Sequence, residues 1–427
     1  MKEQQEIIPF TGYQKLVIFL LAITQFTVIL DFMVMSPLGD MLMKSMNLKP
    51  SAFGVAVSAY AFSAGVSGLL TAGFADKFDR KKLLLFFYIG FIAGSIFCGL
   101  ATNYAQLLAA RIITGLFGGV IGSVSMAIIT DLFALQQRGR VMGFLQMGFG
   151  ASQVLGIPIG LFLANIYGWS FPFLMIGGLA ILIAITIMLK MAPVTAHLGL
   201  QHDKSVFLHL WHTVKKRDYR IGFLATALLS IGGFMMMPFG SAFAINNLGI
   251  DNHQLTLLFM ISGISSLVVM PVIGRFSDKI DKFKLYTIAS VWTMIMCVVY
   301  TNLAVTPFLL VVGLNVLLMM GILSRMVPSS ALTSAVPDMA DRGAFMSINA
   351  SLQQIAGGVA AAVAGMIVIQ PFKGAPLQNY NVVGYVIVGI SIISILLMSR
   401  VSKLVRKKTA NKPAAVKEGD VVISEGF

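Results

Sequence analysis

Long apolar runs, separated by short polar or charged stretches, follow one another along most of the chain. Twelve of these runs come close to the ~20 residues that a helix needs to cross a bilayer. They cover residues 16–38, 53–74, 83–101, 106–130, 141–163, 171–189, 221–245, 255–274, 285–302, 307–331, 344–369 and 382–399. The pattern predicts an all-α integral membrane protein with twelve transmembrane helices, which we call segments 1 to 12.

Three short sequence patterns occur once in each half of the chain. They are DKFDRKKL (76–83) and DKIDKFKL (278–285), DFMVMSPLG (31–39) and GFMMMPFG (233–240), and RGRVM (138–142) and RGAFM (342–346). We interpret the chain as a duplicated six-helix unit. A parallel repeat of this size builds a central substrate site in many secondary transporters. The predicted division is a first half (1–190), a cytoplasmic linker (191–220), a second half (221–400) and a polar cytoplasmic tail (401–427).

The composition excludes a soluble globular protein. The chain is 57% hydrophobic and 11% charged, whereas soluble domains are about 25% charged. All but five of its 31 Lys and Arg residues lie at the termini or in the loops on the side of the N-terminus; the five are Lys44, Lys49, Arg111, Arg325 and Lys373. This asymmetry predicts that both termini are cytoplasmic. It also explains the net charge of +14 by topology and contact with membrane lipid, not by nucleic-acid binding.

The predicted linker holds four of the five histidines, which raises the question of a metal site. Their spacing is irregular and no cysteine accompanies them, so we expect a solvated linker without metal; the four are His197, His202, His209 and His212. An amphipathic piece near residues 207–211 is expected to lie on the membrane. Cys98 and Cys297 both fall within apolar segments, which implies no structural disulfide.

An ionisable residue inside a membrane helix is costly and is a functional hypothesis by default. Asp31 is the only carboxylate well inside a segment, and Arg111 lies at a comparable depth in segment 4. A pair between them would keep Asp31 ionised, and its loss would favour uptake of a proton. We therefore predict that Asp31 and Arg111 couple transport to protons. The alternative is a fixed structural ion pair. Their counterparts in the second half are Gly233 and Asn315, so the pair is not repeated.

Arg325 in segment 10 is the third charge within a segment, and its counterpart in the first half is Ile121. Three roles stay open for it at this stage. It binds a polar or anionic group of a substrate, it closes a gate on the cytoplasmic side, or it bonds to carbonyls near the helix break that Pro328 introduces.

The repeated loop, read with the residues before it, resembles that of the major facilitator superfamily, and in particular the drug:proton antiporter branch with its arabinose-efflux-permease-like exporters. The superfamily pattern is Gly-x-x-x-Asp-Arg/Lys-x-Gly-Arg-Arg/Lys, and residues 72–81 read AGFADKFDRK, with Ala72 and Asp79 in place of the two glycines. Residues 274–279 read GRFSDK and keep the first glycine. The resemblance covers about residues 12–400 and implies the major facilitator fold in a bacterial inner membrane.

Two further patterns support the resemblance. Residues 111–115 read RIITG, which is similar to the helix-4 pattern Arg-x-x-Gln-Gly with Thr114 in place of glutamine. Members of the superfamily use that arginine in proton coupling. Residues 156–160 read GIPIG and resemble the helix-5 pattern of sugar-efflux and arabinose-efflux-like exporters. Gly156 and Gly160 let this helix approach a neighbour closely, and Pro158 bends it.

The resemblance also implies a cytoplasmic gate and a substrate cavity. An aspartate facing a helix N-terminus is favourable, so Asp76 and Asp278 are expected to hold the two halves together at the starts of helices 11 and 5. The predicted gate residues are Asp76, Arg80, Asp131, Arg138, Asp278 and Lys282. The cavity is expected between helices 1, 4, 7 and 10. Its candidate residues are Met35, Thr114, Phe117, Gln146, Gln153, Phe234, Met237, Asn315, Arg325 and Gln353.

These observations predict a proton-coupled exporter of small amphipathic drugs or sugar-like metabolites that works by alternating access, without a cofactor, as a monomer. A symporter that imports a small metabolite is the main alternative, because Asp31 alone does not set the direction. A membrane enzyme is disfavoured, since the chain has no His-Glu-x-x-His and no pair of intramembrane carboxylates. A sensor that has lost transport is a third class, which flux measurements separate from the others. The substrate and the proton stoichiometry are not encoded in any of these patterns.

Overall fold

The computed structural model describes residues 9–71, 75–195, 198, 206–338 and 341–410. Within these residues, twelve helices are long and apolar enough to cross a membrane, and they match segments 1 to 12 in order. We name them α1 Gly12–Val34, α2 Pro50–Thr71, α3 Arg80–Leu100, α4 Tyr104–Leu132, α5 Arg140–Tyr167, α6 Phe171–Lys190, α7 Arg217–Asn246, α8 Asn252–Ser277, α9 Lys282–Thr301, α10 Phe308–Ser334, α11 Arg342–Ile367 and α12 Tyr380–Lys408. The all-α fold class is confirmed.

Several helices extend beyond their apolar segments, because a helix continues where polar residues satisfy its ends. The side chains of Asp251 and Asp281 each cap the helix that follows them. The last helix runs past the predicted end at residue 399, and near its end the Lys408 ammonium lies 2.8 Å from a carboxylate oxygen of Asp338. The tail predicted to begin at residue 401 is therefore helical where the structure describes it. The division into two six-helix domains stays a prediction.

The helices alternate in direction, so α1 begins and α12 ends at one face of the bundle, which we call the termini face. We call α1–α6 the N half and α7–α12 the C half. Along the seam between the halves, α2 packs against α11 through small residues. A Cβ atom on Gly54 would lie only 2.7 Å from the Ala361 carbonyl oxygen, and one on Gly65 only 2.8 Å from that of Ser351. Small residues permit this close approach.

Helix α5 contains a π-helical segment, Ser152–Gly156, in its middle. The amide of Ile157 bonds to the carbonyl of Ser152, one residue further back than in an α-helix. Pro158 follows at once and has no amide hydrogen to donate, which disturbs the regular ladder. Gly156 faces Leu30 of α1, because a Cβ atom there would lie 2.6 Å from the Leu30 side chain. The predicted close packing of this helix is thus present, and the neighbour is α1.

The two halves are joined at the face opposite to the termini. Ser36, just after α1, donates a hydrogen bond to the carbonyl oxygen of Met237 in α7. Ser241 returns a hydrogen bond of 2.7 Å to the carbonyl oxygen of Ser36. Nearby, the amide of Asn246 donates to Asp40 at 2.6 Å. Ser36 and Met237 belong to the repeated patterns 31–39 and 233–240, so two copies of one sequence pattern bond to each other here.

A polar network lies at the termini face of the C half. The Tyr219 hydroxyl lies 2.8 Å from a carboxylate oxygen of Asp341 and 3.0 Å from one of Asp338, and it can donate to only one of them at a time. It also accepts the amide of Asp338 at 3.0 Å. Lys216 donates to Asp341. The helix Val206–Lys215 precedes this network, where an amphipathic piece was predicted.

The Asp341→Asn variant is expected to lower the thermal stability near neutral pH. The hydrogen bond from Lys216 is the largest cause that holds the pKa of Asp341 below its ordinary value of 3.8. A depressed pKa stabilises the folded state above the unfolded pKa, and this stabilisation is lost as the pH falls through the folded pKa. Melting curves between about pH 7 and pH 3 should therefore differ most at neutral pH and converge in acid. Asp218→Asn, at an exposed position, serves as the control; an equal loss in both variants would contradict the prediction.

Candidate functional site

The Asp31 and Arg111 side chains form an ion pair inside the N half. The Arg111 Nη1 atom lies 2.7 Å from Asp31 Oδ2, and both side chains are 0% exposed. Ser95 of α3 donates a hydrogen bond of 2.8 Å to the other carboxylate oxygen. The Nε and Nη2 atoms of Arg111 are buried and have no hydrogen-bond partner among the described residues. The predicted pairing is present; its role in proton coupling stays a proposal.

Aromatic rings connect this pair to the C half. The Arg111 guanidinium lies over the Tyr60 ring of α2, 4.5 Å from its centroid. The Tyr60 ring is 5.2 Å from Phe32 of α1, and Phe32 is 5.9 Å from Phe234 of α7. A cation–π contact holds a guanidinium in place without neutralising it. Three contacts in series, from Arg111 to Tyr60, from Tyr60 to Phe32 and from Phe32 to Phe234, therefore connect the ion pair to α7 across the seam.

Two predicted cavity residues lie elsewhere. Thr114 packs against α3, because a Cβ atom added to Gly94 of α3 would lie 2.8 Å from the backbone nitrogen of Thr114. Phe117 also faces α3, with its ring 5.8 Å from that of Phe86, which is 61% exposed. The physical reason is that α3 packs closely on α4 through small residues. Thr114 and Phe117 lie on the face of α4 that this contact covers. The structure does not bring them to the seam between the halves.

Other predicted cavity residues do lie at contacts between helices of both halves. Gln153 in the π-helical segment accepts a hydrogen bond of 2.7 Å from Ser266 of α8. Phe234 packs on Phe32, and the Met237 carbonyl accepts from Ser36. Met35, 1% exposed, lies next to Ser36 in the core.

The remaining cavity candidates are dispersed. Asn315 accepts a hydrogen bond of 2.7 Å from Ser262 and donates to Tyr300, so it stays within the C half. Arg325 also lies within the C half, 2% exposed. Gln353 is exposed. The side chain of Gln146 lies outside those that the structure describes.

The predicted gate is described in part. The Arg80 Nε atom lies 3.3 Å from Asp131 Oδ2, and Nη1 donates to the Ala75 carbonyl. Arg138 donates to the carbonyl oxygens of Thr130 and Phe133, which end α4. Lys282 lies 3.4 Å from the carbonyl oxygen of Ser277. The side chains of Asp76 and Asp278 lie outside the described ones, so the contacts that were expected of them with helices 11 and 5 remain predictions.

The sequence reasoning missed several residues around these sites. Ser95 and Tyr60 contact the ion pair, yet a serine or tyrosine in an apolar helix gives no signal that distinguishes it from a packing residue. Ser36, Asp40 and Asn246 join the halves at the face opposite to the termini. A signal was present for Ser36, because it lies within a repeated pattern. The described cavities lie at this same face; one of about 470 Å³ lies between Asp40 and Lys44 of the N half and Asp251 of the C half.

The fold defines a class of protein: a membrane protein with twelve candidate spanning helices in the described part of the chain. A family model described as Major Facilitator Superfamily matches residues 21–239 and 222–425. The chain therefore belongs to the major facilitator superfamily, and members of this superfamily are transporters of small molecules, not enzymes.

Curated relatives agree with this assignment. The chain is 26% identical to the uncharacterized MFS-type transporter YbcL of Bacillus subtilis, over 89% of this chain and 95% of that protein. It is 25% identical to a probable sugar efflux transporter of Helicobacter acinonychis, over 59% of this chain and 63% of that protein.

Solved structures share the fold at low identity. A bacterial homologue of the human lysosomal transporter Spinster superposes with a TM-score of 0.75 at 15% identity, covering 93% of this chain and 99% of that one. A D-xylose–proton symporter superposes with a TM-score of 0.74 at 17% identity, covering 90% and 97%. These likenesses establish the architecture alone.

Proposed function

We propose that this protein is a proton-coupled exporter that moves small sugar-like metabolites or amphipathic drugs out of the cell by alternating access. The observation that carries the proposal is the Asp31–Arg111 pair. Asp31 is wholly buried and, among the residues that the structure describes, is the only carboxylate well inside a helix. Its negative charge depends on a single guanidinium and one serine hydroxyl. An isolated buried carboxylate takes a proton when its cationic partner moves away.

The proposed cycle couples that proton to the rearrangement of the two halves. Asp31 takes a proton while the site faces outward and releases it to the cytoplasm. Substrate and proton compete for the site in this proposal, and the aromatic contacts from Tyr60 to Phe234 connect the pair to the seam. The termini face is cytoplasmic in this proposal, as the distribution of Lys and Arg indicates. Asp31 and Arg111 are the proton-coupling residues of this proposed cycle.

Export of sugar-like compounds is favoured over import by the relatives. Several are named probable sugar efflux transporters. The GIPIG pattern in α5 is similar to that of sugar-efflux exporters, and its glycines pack closely on α1, the helix that carries Asp31. Amphipathic drugs stay within the proposal because the seam includes Phe32, Phe234 and Met237, and polarizable, apolar side chains accept varied ligands.

The test is transport into membrane vesicles of both orientations from cells stripped of their own exporters. Inside-out vesicles that pump protons inward should accumulate at least one compound of a panel of pentoses, hexoses, nucleosides and cationic dyes. Right-side-out vesicles should not accumulate it. Accumulation only in right-side-out vesicles would identify the symporter alternative. Flux that ignores the pH gradient in both preparations would contradict proton coupling, and absence of flux would favour the sensor.

Replacement of the Tyr60 ring is expected to weaken transport. Tyr60→Leu removes the ring under the Arg111 guanidinium, and a buried cation–π contact contributes about 1–2 kcal/mol. The initial rate should fall about tenfold, since ~1.4 kcal/mol corresponds to a factor of ten. Tyr60→Phe keeps the ring and should retain most of the rate. Equal losses in both variants would show that the hydroxyl, not the ring, matters.

A further inference from the structure

Arg325 lies in the middle of the C half, and no ion pair to it is found among the described residues. Of the acidic residues that the structure describes, only Asp31 lies well inside a membrane helix. Asp31 belongs to the N half and is bonded to Arg111. The described acidic residues of the C half lie in loops or at helix ends. The part of the chain that the structure describes thus supplies no compensating charge to Arg325.

The geometry around Arg325 leaves most of its donors unused. The side chain is 2% exposed, and one hydrogen bond is described for it, from Nη1 to the Ser391 hydroxyl of α12 at 3.2 Å. The Nε and Nη2 atoms are buried without a partner among the described residues. A buried charge left without a partner is strongly destabilising. A guanidinium in this state attracts any small anion that can reach it.

Gly232 of α7 lies beside the unpaired Nη2 atom. A Cβ atom on Gly232 would lie 3.4 Å from Arg325 Nη2 and 3.9 Å from Ile390, so a side chain here would press on this donor, whereas glycine leaves that side of it uncovered. The N half shows how a buried arginine is neutralised in this fold, because α1 places the Asp31 carboxylate against Arg111 of α4. In the C half, α7 has Gly233 at the position that corresponds to Asp31.

We propose that Arg325, on its side next to Gly232, binds a small monovalent anionic group, either a free ion such as chloride or a carboxylate on a transported compound. The C half carries a buried guanidinium with no carboxylate bonded to it among the described residues, and the bound group supplies that negative charge. The free-ion form does not depend on the proposed export function; the carboxylate form names a substrate class for it.

The test measures thermal unfolding of the purified protein in sodium chloride, sodium formate and, as the bulky reference anion without a carboxylate, sodium morpholinoethanesulfonate at constant ionic strength. Chloride or formate should raise the melting temperature in a saturable way, by about 2 °C or more relative to the sulfonate. Arg325→Gln should abolish the difference. Gly232→Ala should raise the half-saturating anion concentration at least threefold. The matched control is Gly233→Ala, because a Cβ atom there meets nothing within 4 Å.

The outcomes separate the two sources of the anion. A response to chloride or formate alone supports a free ion. A response only to a carboxylate-bearing compound, such as a uronic acid that is added to the flux panel and transported there, supports a substrate group. If the native protein responds to none of them, or if Gly232→Ala and Gly233→Ala respond like the native protein, the proposal is overturned. The glycine variants keep the test decisive even if Arg325→Gln does not fold. Because unfolding is measured without transport, this result stands apart from the flux experiment.

Discussion

Asp31→Asn is expected to reduce net, gradient-driven transport at least a hundredfold while leaving substrate exchange in place. Asparagine has nearly the shape of aspartate but cannot bind and release a proton. In the proposed cycle, the site changes its access from one side of the membrane to the other only when it holds either the substrate or the proton. The variant should thus still exchange labelled for unlabelled substrate, and it should fail to accumulate substrate against a concentration gradient. Counterflow and pH-driven uptake into the same vesicles measure both quantities.

The structural role of the pair needs a separate control. Removing one partner of a buried ion pair costs about 3–5 kcal/mol, because the remaining charge is left uncompensated. Asp31→Asn is therefore also expected to lower the melting temperature. The double variant Asp31→Asn with Arg111→Gln removes both charges and should recover part of that stability without recovering coupled transport. Net transport in Asp31→Asn above half the native value would leave the pair with a structural role only.

Gly54→Val is expected to prevent closure of the face opposite to the termini. A Cβ atom at this position would lie 2.7 Å from the Ala361 carbonyl oxygen and 3.1 Å from the Gly365 Cα atom, both of them backbone atoms that cannot rotate away. Overpacking of this kind costs about 1–3 kcal/mol. Valine should force α2 and α11 apart, weaken the hydrogen bonds around Ser36, and lower transport about tenfold or more.

Labelling with a membrane-impermeant maleimide reports this opening. Leu38→Cys places a thiol at a position that is 0% exposed next to the Ser36 contacts, in a background with Cys98 and Cys297 replaced. The labelling rate from outside should rise at least fivefold when Gly54→Val is added. Gly178→Val is the matched control, since a Cβ atom on Gly178 meets nothing within 4 Å. Slow labelling in both variants would show that the seam accommodates the added methyl groups.

The apolar pattern alone predicts the twelve helices, because length and hydropathy decide which segments can span a bilayer. It also finds the buried pair, since a charge at that depth must have a partner. Asp31 and Arg111 are opposite in sign and similar in depth, so their contact could be anticipated. Ser95 and Tyr60 could not, because their roles depend on which faces of α2 and α3 turn toward α4.

The rotation of each helix about its axis is what the sequence leaves undetermined. Thr114 and Phe117 lie on α4, a helix expected at the cavity, yet both face α3. Only the packing of Gly94 and Gly90 against α4 decides this, and those glycines carry no signal that distinguishes them from others in the membrane. The same limit applies to Arg325: its depth follows from the sequence, whereas its single described hydrogen bond, to Ser391, depends on what α7 and α12 present to it.

The π-helical segment of α5 contains one residue more than an α-helix of the same length would hold. Deleting a single residue within Ser152–Gly156 would convert this segment to a regular α-helix while Gly148 and Gly160 both keep facing α1. The extra residue is thus an insertion that the helix absorbs locally, without rotating its two ends. An alignment of relatives should accordingly show a one-residue gap here in some of them, and those proteins would present a different side chain than Gln153 to α8.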